Sequence, residues 1–169
     1  MKNLRQIMLT TAFILTGFVV NAQDYKYHPS FIYNFTKYIE WPASYQTGDF
    51  VIAVLGDSEI IIELEKMAEN KSVGSQKFVI KKLKSADEIE KCHLLFIPVS
   101  KSKELTQALL KLEGKPTLIV TEKPGMASQG SGINFVMMDG KWKFELNKSA
   151  TEKSNLKVSS DLAKFAIII

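Results

Sequence analysis

The sequence predicts an α/β fold: a single three-layer domain with a mainly parallel sheet, flanking helices and an antiparallel hairpin near the C-terminus. Three observations carry this. Segments 50–55, 94–99 and 117–121 are continuous apolar runs, the pattern of strands buried on both faces of a parallel sheet. Helical segments alternate with them, as right-handed strand–helix–strand crossovers require. Two alternating runs, 133–137 and 141–146, flank Met138-Asp139-Gly140, and an Asp-Gly step in that position is a strong hairpin signal. The composition is that of an ordinary globular chain: 169 residues, 46% apolar and 24% charged, which excludes disordered, collagenous and disulfide-scaffold classes.

The elements follow in order. Phe31, Phe35 and Ile39 recur at helical spacing, so residues 31–39 read as a helix, with Ser30 as N-cap and Pro42 enforcing its end. Strand 50–55 turns at Gly56-Asp57-Ser58 into a helix over 60–68. Strand 77–83 has a lysine-rich exterior, and a short helix over 86–91 links it to strand 94–99. An amphipathic helix over 101–112 presents Leu105, Ala108, Leu109 and Leu112, and Gly114-Lys115-Pro116 stops it before strand 117–121. A glycine-rich loop over 122–132 leads to the hairpin. Residues 147–150 close it, and a final helix starts at Ser159 or Ser160.

The first 22 residues read as a secretory signal peptide. Lys2 and Arg5 precede an uncharged apolar stretch over 7–20, and Val20-Asn21-Ala22 supplies small residues for cleavage before Gln23. The stretch of about 14 residues is short of the roughly 20 that span a bilayer. The expected mature domain is 23–169, located in the periplasm. An exported chain whose only cysteine is Cys92 cannot form an intrachain disulfide, so its stability must come from the core. Cys92 lies in a strand-like apolar run and is expected to be a buried thiol.

Charge and residue chemistry narrow the function. The formal charge is only +4, and Arg5 is the sole arginine. A mature chain without guanidinium groups is poorly equipped for nucleic-acid readout. His28 and His93 are isolated, and Cys92 and His93 are adjacent, so on a strand they point to opposite faces; no metal site and no cofactor are expected. No nucleophile–base pairing or Gly-x-Ser-x-Gly elbow is present, so the chain reads as a non-enzyme. A ligand crevice at the strand ends would use Asp57 together with Gly130 and Gly132 of the 125–132 loop, whose backbone could form an anion nest. The cluster Phe31, Tyr33, Phe35, Tyr38 and Trp41 makes the first helix aromatic on more than one face. One face must pack on the sheet, and the remainder covers another element or meets a partner.

The segment Phe31-Ile-Tyr-Asn-Phe-Thr-Lys-Tyr-Ile-Glu-Trp41-Pro42 resembles the opening signature of the YfiR-like periplasmic proteins. The resemblance continues through Phe50-Val-Ile-Ala-Val-Leu-Gly56-Asp57, Lys91-Cys-His-Leu-Leu-Phe-Ile97, Gly132-Ile-Asn-Phe135, Trp142-Lys-Phe-Glu145-Leu-Asn147 and Asn155-Leu-Lys-Val-Ser159-Ser160-Asp-Leu-Ala163. It implies a periplasmic regulator that holds a membrane signalling protein, such as a diguanylate cyclase, inactive through protein contact. An OmpA-like lipoprotein would relieve it, and a homodimer stays open. By the same resemblance Glu145 and Phe135 carry partner contacts, with Tyr38 and Trp41 on the aromatic helix as further candidates; Asn147 also matches, and as an Asn ending a strand it could equally be a cap. The alternative function is a small-molecule-binding periplasmic sensor using the Asp57, Gly130 and Gly132 crevice. Hairpin alternation sets Trp142, Phe144 and Leu146 on one face, and Lys143 with an exposed Glu145 on the other.

Overall fold

The computed structural model describes residues 25–169; the signal-peptide segment lies outside the described residues. Helix α1 (His28–Tyr38) is followed by β1 (Ile39–Glu40) and β2 (Phe50–Leu55). Then come α2 (Ile60–Asn70), β3 (Ser72–Val73), β4 (Gln76–Leu83), β5 (Leu94–Ile97), α3 (Leu105–Lys111) and β6 (Leu118–Thr121). The hairpin is β7 (Ile133–Met138) and β8 (Lys141–Leu146), after which α4 (Lys148–Lys153), β9 (Lys157–Val158), α5 (Ser160–Phe165) and β10 (Ile167–Ile168) complete the chain.

One sheet runs in the order β10-β8-β7-β6-β5-β2-β4-β3. Strands β4, β2, β5, β6 and β7 are mutually parallel, β7–β8 and β3–β4 are antiparallel, and β10 returns parallel to β8. A separate two-stranded ribbon joins β1 to β9. Alternate residues of the central strands feed two cores. Ile52, Val54, Leu94, Phe96, Leu118 and Val120 face α1, α2 and α5, which contribute Ile32, Phe35, Ile60, Leu64 and Leu162. Ala53, Leu55, Leu95, Ile97 and Ile119 face the opposite way, onto Leu105 and Ala108 of α3 and onto Met126 of the 122–132 loop. Burial on both faces is why these strands are apolar throughout.

Several boundaries differ from the sequence expectation. Helix α1 begins at His28, with Pro29 in its first turn where a missing N–H costs nothing, so Ser30 lies inside the helix and caps nothing. The expected helix over 86–91 is only a 3₁₀ turn at Ala86–Glu88. Residues 99–104 also wind as 3₁₀ before α3 becomes α-helical. Helix α4 was not foreseen; Asn147 starts it, its Oδ1 accepting the Ala150 N–H at 2.9 Å. The same side chain donates from Nδ2 to the Ala127 carbonyl at 2.8 Å, tying the loop to the end of β8.

The aromatic surplus of α1 covers the hairpin. Phe35 meets Phe144 edge-on at 5.0 Å, and the His28 ring lies 4.3 Å from Phe135 and 4.6 Å from Trp142. Each such pair adds roughly 0.5–1.5 kcal/mol beyond the area it buries.

Candidate functional site

The hairpin turns at Asp139 and Gly140, both with positive φ (52° and 69°), which matches its twist to that of the flanking strands. Its register pairs Asn134 with Glu145, Val136 with Lys143 and Met138 with Lys141. The intervening pairs, Phe135 with Phe144 and Met137 with Trp142, point to the other face. The Phe135–Phe144 face is packed under α1, and the Asn134–Glu145 face is the second one. Phe135 is 1% exposed and cannot meet a partner in the folded chain, which corrects its expected role.

The second face carries the finding that the sequence did not suggest. Asn134 Nδ2 donates to the Glu145 carboxylate at 2.8 Å, and Asn134 Oδ1 accepts the Thr121 hydroxyl at 2.8 Å. Thr121 Oγ1 also lies 2.8 Å from Ser131 Oγ. Ser131, Thr121 and Asn134 are fully buried, so a polar chain crosses three strands from the loop to Glu145. Glu145 is half-buried and engaged, not freely exposed as expected. The signal was present in principle: Asn134 interrupts an apolar strand opposite the only carboxylate of β8.

Beyond Asn134 the second face has no helix over it. Val136 is half-buried, and Met138, Lys141 and Lys143 are exposed. The neighbouring edge strand β10 pairs Ile167 with Glu145, and Phe165, Ile168 and Ile169 around it are exposed. On the Glu145 face itself lie Val136, Met138, Lys141 and Lys143, with Ile167 of β10 beside Glu145, whereas Ile168, opposite Leu146, shares the face that α1 covers.

The aromatic candidates separate. Trp41 is 4% exposed, packs edge-on against Phe50 at 5.0 Å and donates its Nε1–H to the His93 carbonyl at 3.2 Å, so it is core. Tyr38 is exposed, and its carbonyl accepts the Ser159 N–H at 2.9 Å beside the β1–β9 ribbon.

The expected ligand crevice does not assemble. Asp57 follows the carboxyl end of β2, fully in solvent, paired with Lys82. Gly132 lies at the opposite end of the parallel strands, where its N–H donates to Ile119 O at 3.0 Å. A chain that leaves β6 and re-enters as a parallel β7 must return to the amino end, and the 122–132 loop does this. Gly130 and Gly132 instead border a groove of about 680 Å³ with α3, α4 and the start of β6.

Buried titratable groups lie elsewhere. Glu122 accepts the Tyr25 hydroxyl at 2.8 Å and the Val99 N–H at 2.9 Å, and burial raises its carboxyl above the usual range. His93 accepts the Val51 N–H at Nδ1 (3.0 Å), which leaves Nε2–H to donate to Tyr45 O at 2.8 Å. Burial lowers the His93 pKa, so this neutral tautomer is the stable one. Among the described residues no cluster of three or more His, Cys, Asp or Glu could hold a metal ion, and no helix is long and apolar enough to cross a membrane.

No curated protein matches the sequence. A crystal structure of a conserved domain protein from Vibrio cholerae shares the fold, with a TM-score of 0.58 at 11% identity. The match covers 86% of this chain, which spans 60% of that one. The model of the YfiR/HmsC-like family matches residues 25–167, nearly all of the described chain. With the motifs and the sheet in agreement, the chain belongs to the YfiR/HmsC-like family.

Proposed function

We propose that this chain is an exported regulatory binding protein that controls a membrane signalling protein, such as a diguanylate cyclase, by direct contact in the periplasm. Family membership supports the periplasmic regulatory role. The observation that carries the contact reading is the uncovered second face of the hairpin, with Val136, Met138, Lys141 and Lys143 beside the exposed β10 edge. Apolar groups supply binding free energy, while the lysines orient an acidic partner surface and speed encounter. The anchored Glu145 then sets the rim of that face instead of reaching outward. An OmpA-like lipoprotein that captured the same face would release the membrane protein.

The test is complementation. Removing the gene should raise cyclic-di-GMP in cells that hold the membrane cyclase, and the wild-type chain should restore the low level. The double variant Met138→Asp with Lys143→Glu, at two exposed positions, should melt with the wild type and fail to restore it. Full restoration by that variant would overturn this surface, and an unchanged level after removal would overturn the cyclase reading.

A further inference from the structure

The sulfur atoms of this chain divide sharply by access. Cys92, the lone thiol, is buried, and burial holds it in the protonated form that peroxides attack slowly. The methionines of the described residues are Met67, Met126, Met137 and Met138. Met126 is 5% exposed in the core under α3, and Met67 is half-buried against the other core. Met137 and Met138 are 53% and 43% exposed, side by side at the outer end of β7. A thioether keeps its lone pair at every working pH, so access alone ranks these four sulfurs.

The two exposed sulfurs stand on opposite faces of the hairpin. Met137 pairs with Trp142, whereas Met138 pairs with Lys141 and shares its face with Val136 and Lys143. Neither methionine belongs to a core cluster, so a polar atom added to either leaves the packing of the domain intact. The local chemistry would still change. A sulfoxide turns a flexible apolar side chain into a polar one with an acceptor oxygen. On the Glu145 face this removes an apolar group beside two exposed lysines and gives their ammonium groups an acceptor.

We propose that Met137 and Met138 are the site at which peroxides modify this chain, and that the sulfoxide at Met138 switches off the Glu145 face. The second part rests on the hairpin contact proposed above; the first does not. In the reaction the sulfur lone pair attacks one peroxide oxygen, an S–O bond forms and the O–O bond breaks. The departing oxygen leaves as water from hydrogen peroxide, or as an alcohol from an organic peroxide. Sulfur loses two electrons and the peroxide gains them. A thiol-dependent sulfoxide reductase would return the two electrons and restore the thioether.

Hydrogen peroxide added to the purified mature chain, followed by peptide mass mapping, tests the site. Met137 and Met138 should each gain one oxygen at least about tenfold faster than Met126, with Met67 between, and urea should erase the difference. Equal rates for Met126 or Met67 and the hairpin pair in the folded chain overturn the site. The oxidised chain should melt with the untreated one; unfolding on oxidation overturns the switch.

Cells that lack the gene and hold the membrane cyclase test the switch. Met138→Gln, which carries a polar acceptor in place of the sulfur, should melt with the wild type and fail to hold cyclic-di-GMP low. Sublethal peroxide should release control by the wild type and by Met137→Leu, while Met138→Leu keeps control. Full control by Met138→Gln, or an equal peroxide response of Met138→Leu and wild type, overturns the switch and leaves the contact reading standing. An untreated wild type that restores no control overturns both.

Discussion

Asn134 and Glu145 face each other across the β7–β8 ladder, with the buried amide of Asn134 donating to the half-buried Glu145 carboxylate at 2.8 Å. The pair stitches the outer strand of the hairpin to the inner one on the face that α1 does not cover. Glu145 is thus fixed in place by the sheet.

Glu145→Ala should lower stability by about 1–3 kcal/mol, because it leaves a buried Asn134 donor without its acceptor. Glu145→Gln keeps an acceptor oxygen and should cost less than about 1 kcal/mol. Urea melts of the two variants check this. Equal stability of Glu145→Ala and wild type would mean that water replaces the carboxylate freely.

Acid should weaken the fold through His93. Its pKa is lowered in the folded state, mainly by burial, with Lys91 adding to the shift and the Tyr45 carbonyl opposing it. The unfolded chain therefore takes up a proton first. The stability that neutral His93 contributes is fully present above about pH 6.5 and is lost as pH falls from there through the lowered value. Protonation also abolishes the Nδ1 acceptor for Val51 N–H. Thermal midpoints measured from about pH 7.5 to 5 should fall more steeply for wild type than for His93→Gln. Parallel curves would exonerate His93.

Cys92 is 2% exposed, and burial pushes its thiol pKa up to about 11. A protonated, covered thiol is a poor nucleophile. A disulfide reagent such as Ellman's should label it only as the chain unfolds, with a rate that rises with urea. Reductant should leave the melting temperature unchanged. Rapid labelling under native conditions would contradict the burial.

The parts of this fold that could be read from sequence are those whose neighbours leave a periodic mark. Strands β2, β5 and β6 have helices or loop on both faces, so they are apolar at every position and stand out. The hairpin announces itself through Asp139-Gly140. Helix α4, Lys-Ser-Ala-Thr-Glu-Lys, carries no apolar stripe, because it is held by the Asn147 cap and by Thr151 alone among its buried residues. Strand alternation correctly grouped Phe144 with Leu146, but alternation cannot say what covers each face. Phe135 therefore turned out to be core, and Glu145 found Asn134. The ligand crevice failed for a topological reason: residues 122–132 are long enough to carry the chain back to the amino end of the sheet, and their sequence does not reveal that direction.

The polar chain from Ser131 to Glu145 makes a cooperative prediction. Thr121 Oγ1 sits within hydrogen-bond distance of Ser131 Oγ, Asn134 Oδ1 and, at 3.4 Å, Ile133 O. With one hydroxyl proton it donates to a single acceptor at a time, and its donation to Asn134 Oδ1 fixes that amide with Nδ2 toward Glu145. Thr121→Val keeps the shape and removes the hydroxyl, so it should cost about 1–3 kcal/mol and free the Asn134 amide to rotate. Thr121 and Glu145 are linked through Asn134, so their effects should not add. A double-mutant cycle of Thr121→Val with Glu145→Ala, which removes the acceptor of the Asn134 amide, should give a coupling of about 0.5–3 kcal/mol. Amide hydrogen exchange should show the β7–β8 ladder opening more often in Thr121→Val, while β2 and β5 keep their protection. Additive costs with unchanged exchange in the hairpin would show that Asn134 holds Glu145 without help from the loop, and that Ser131 and Thr121 serve only local packing.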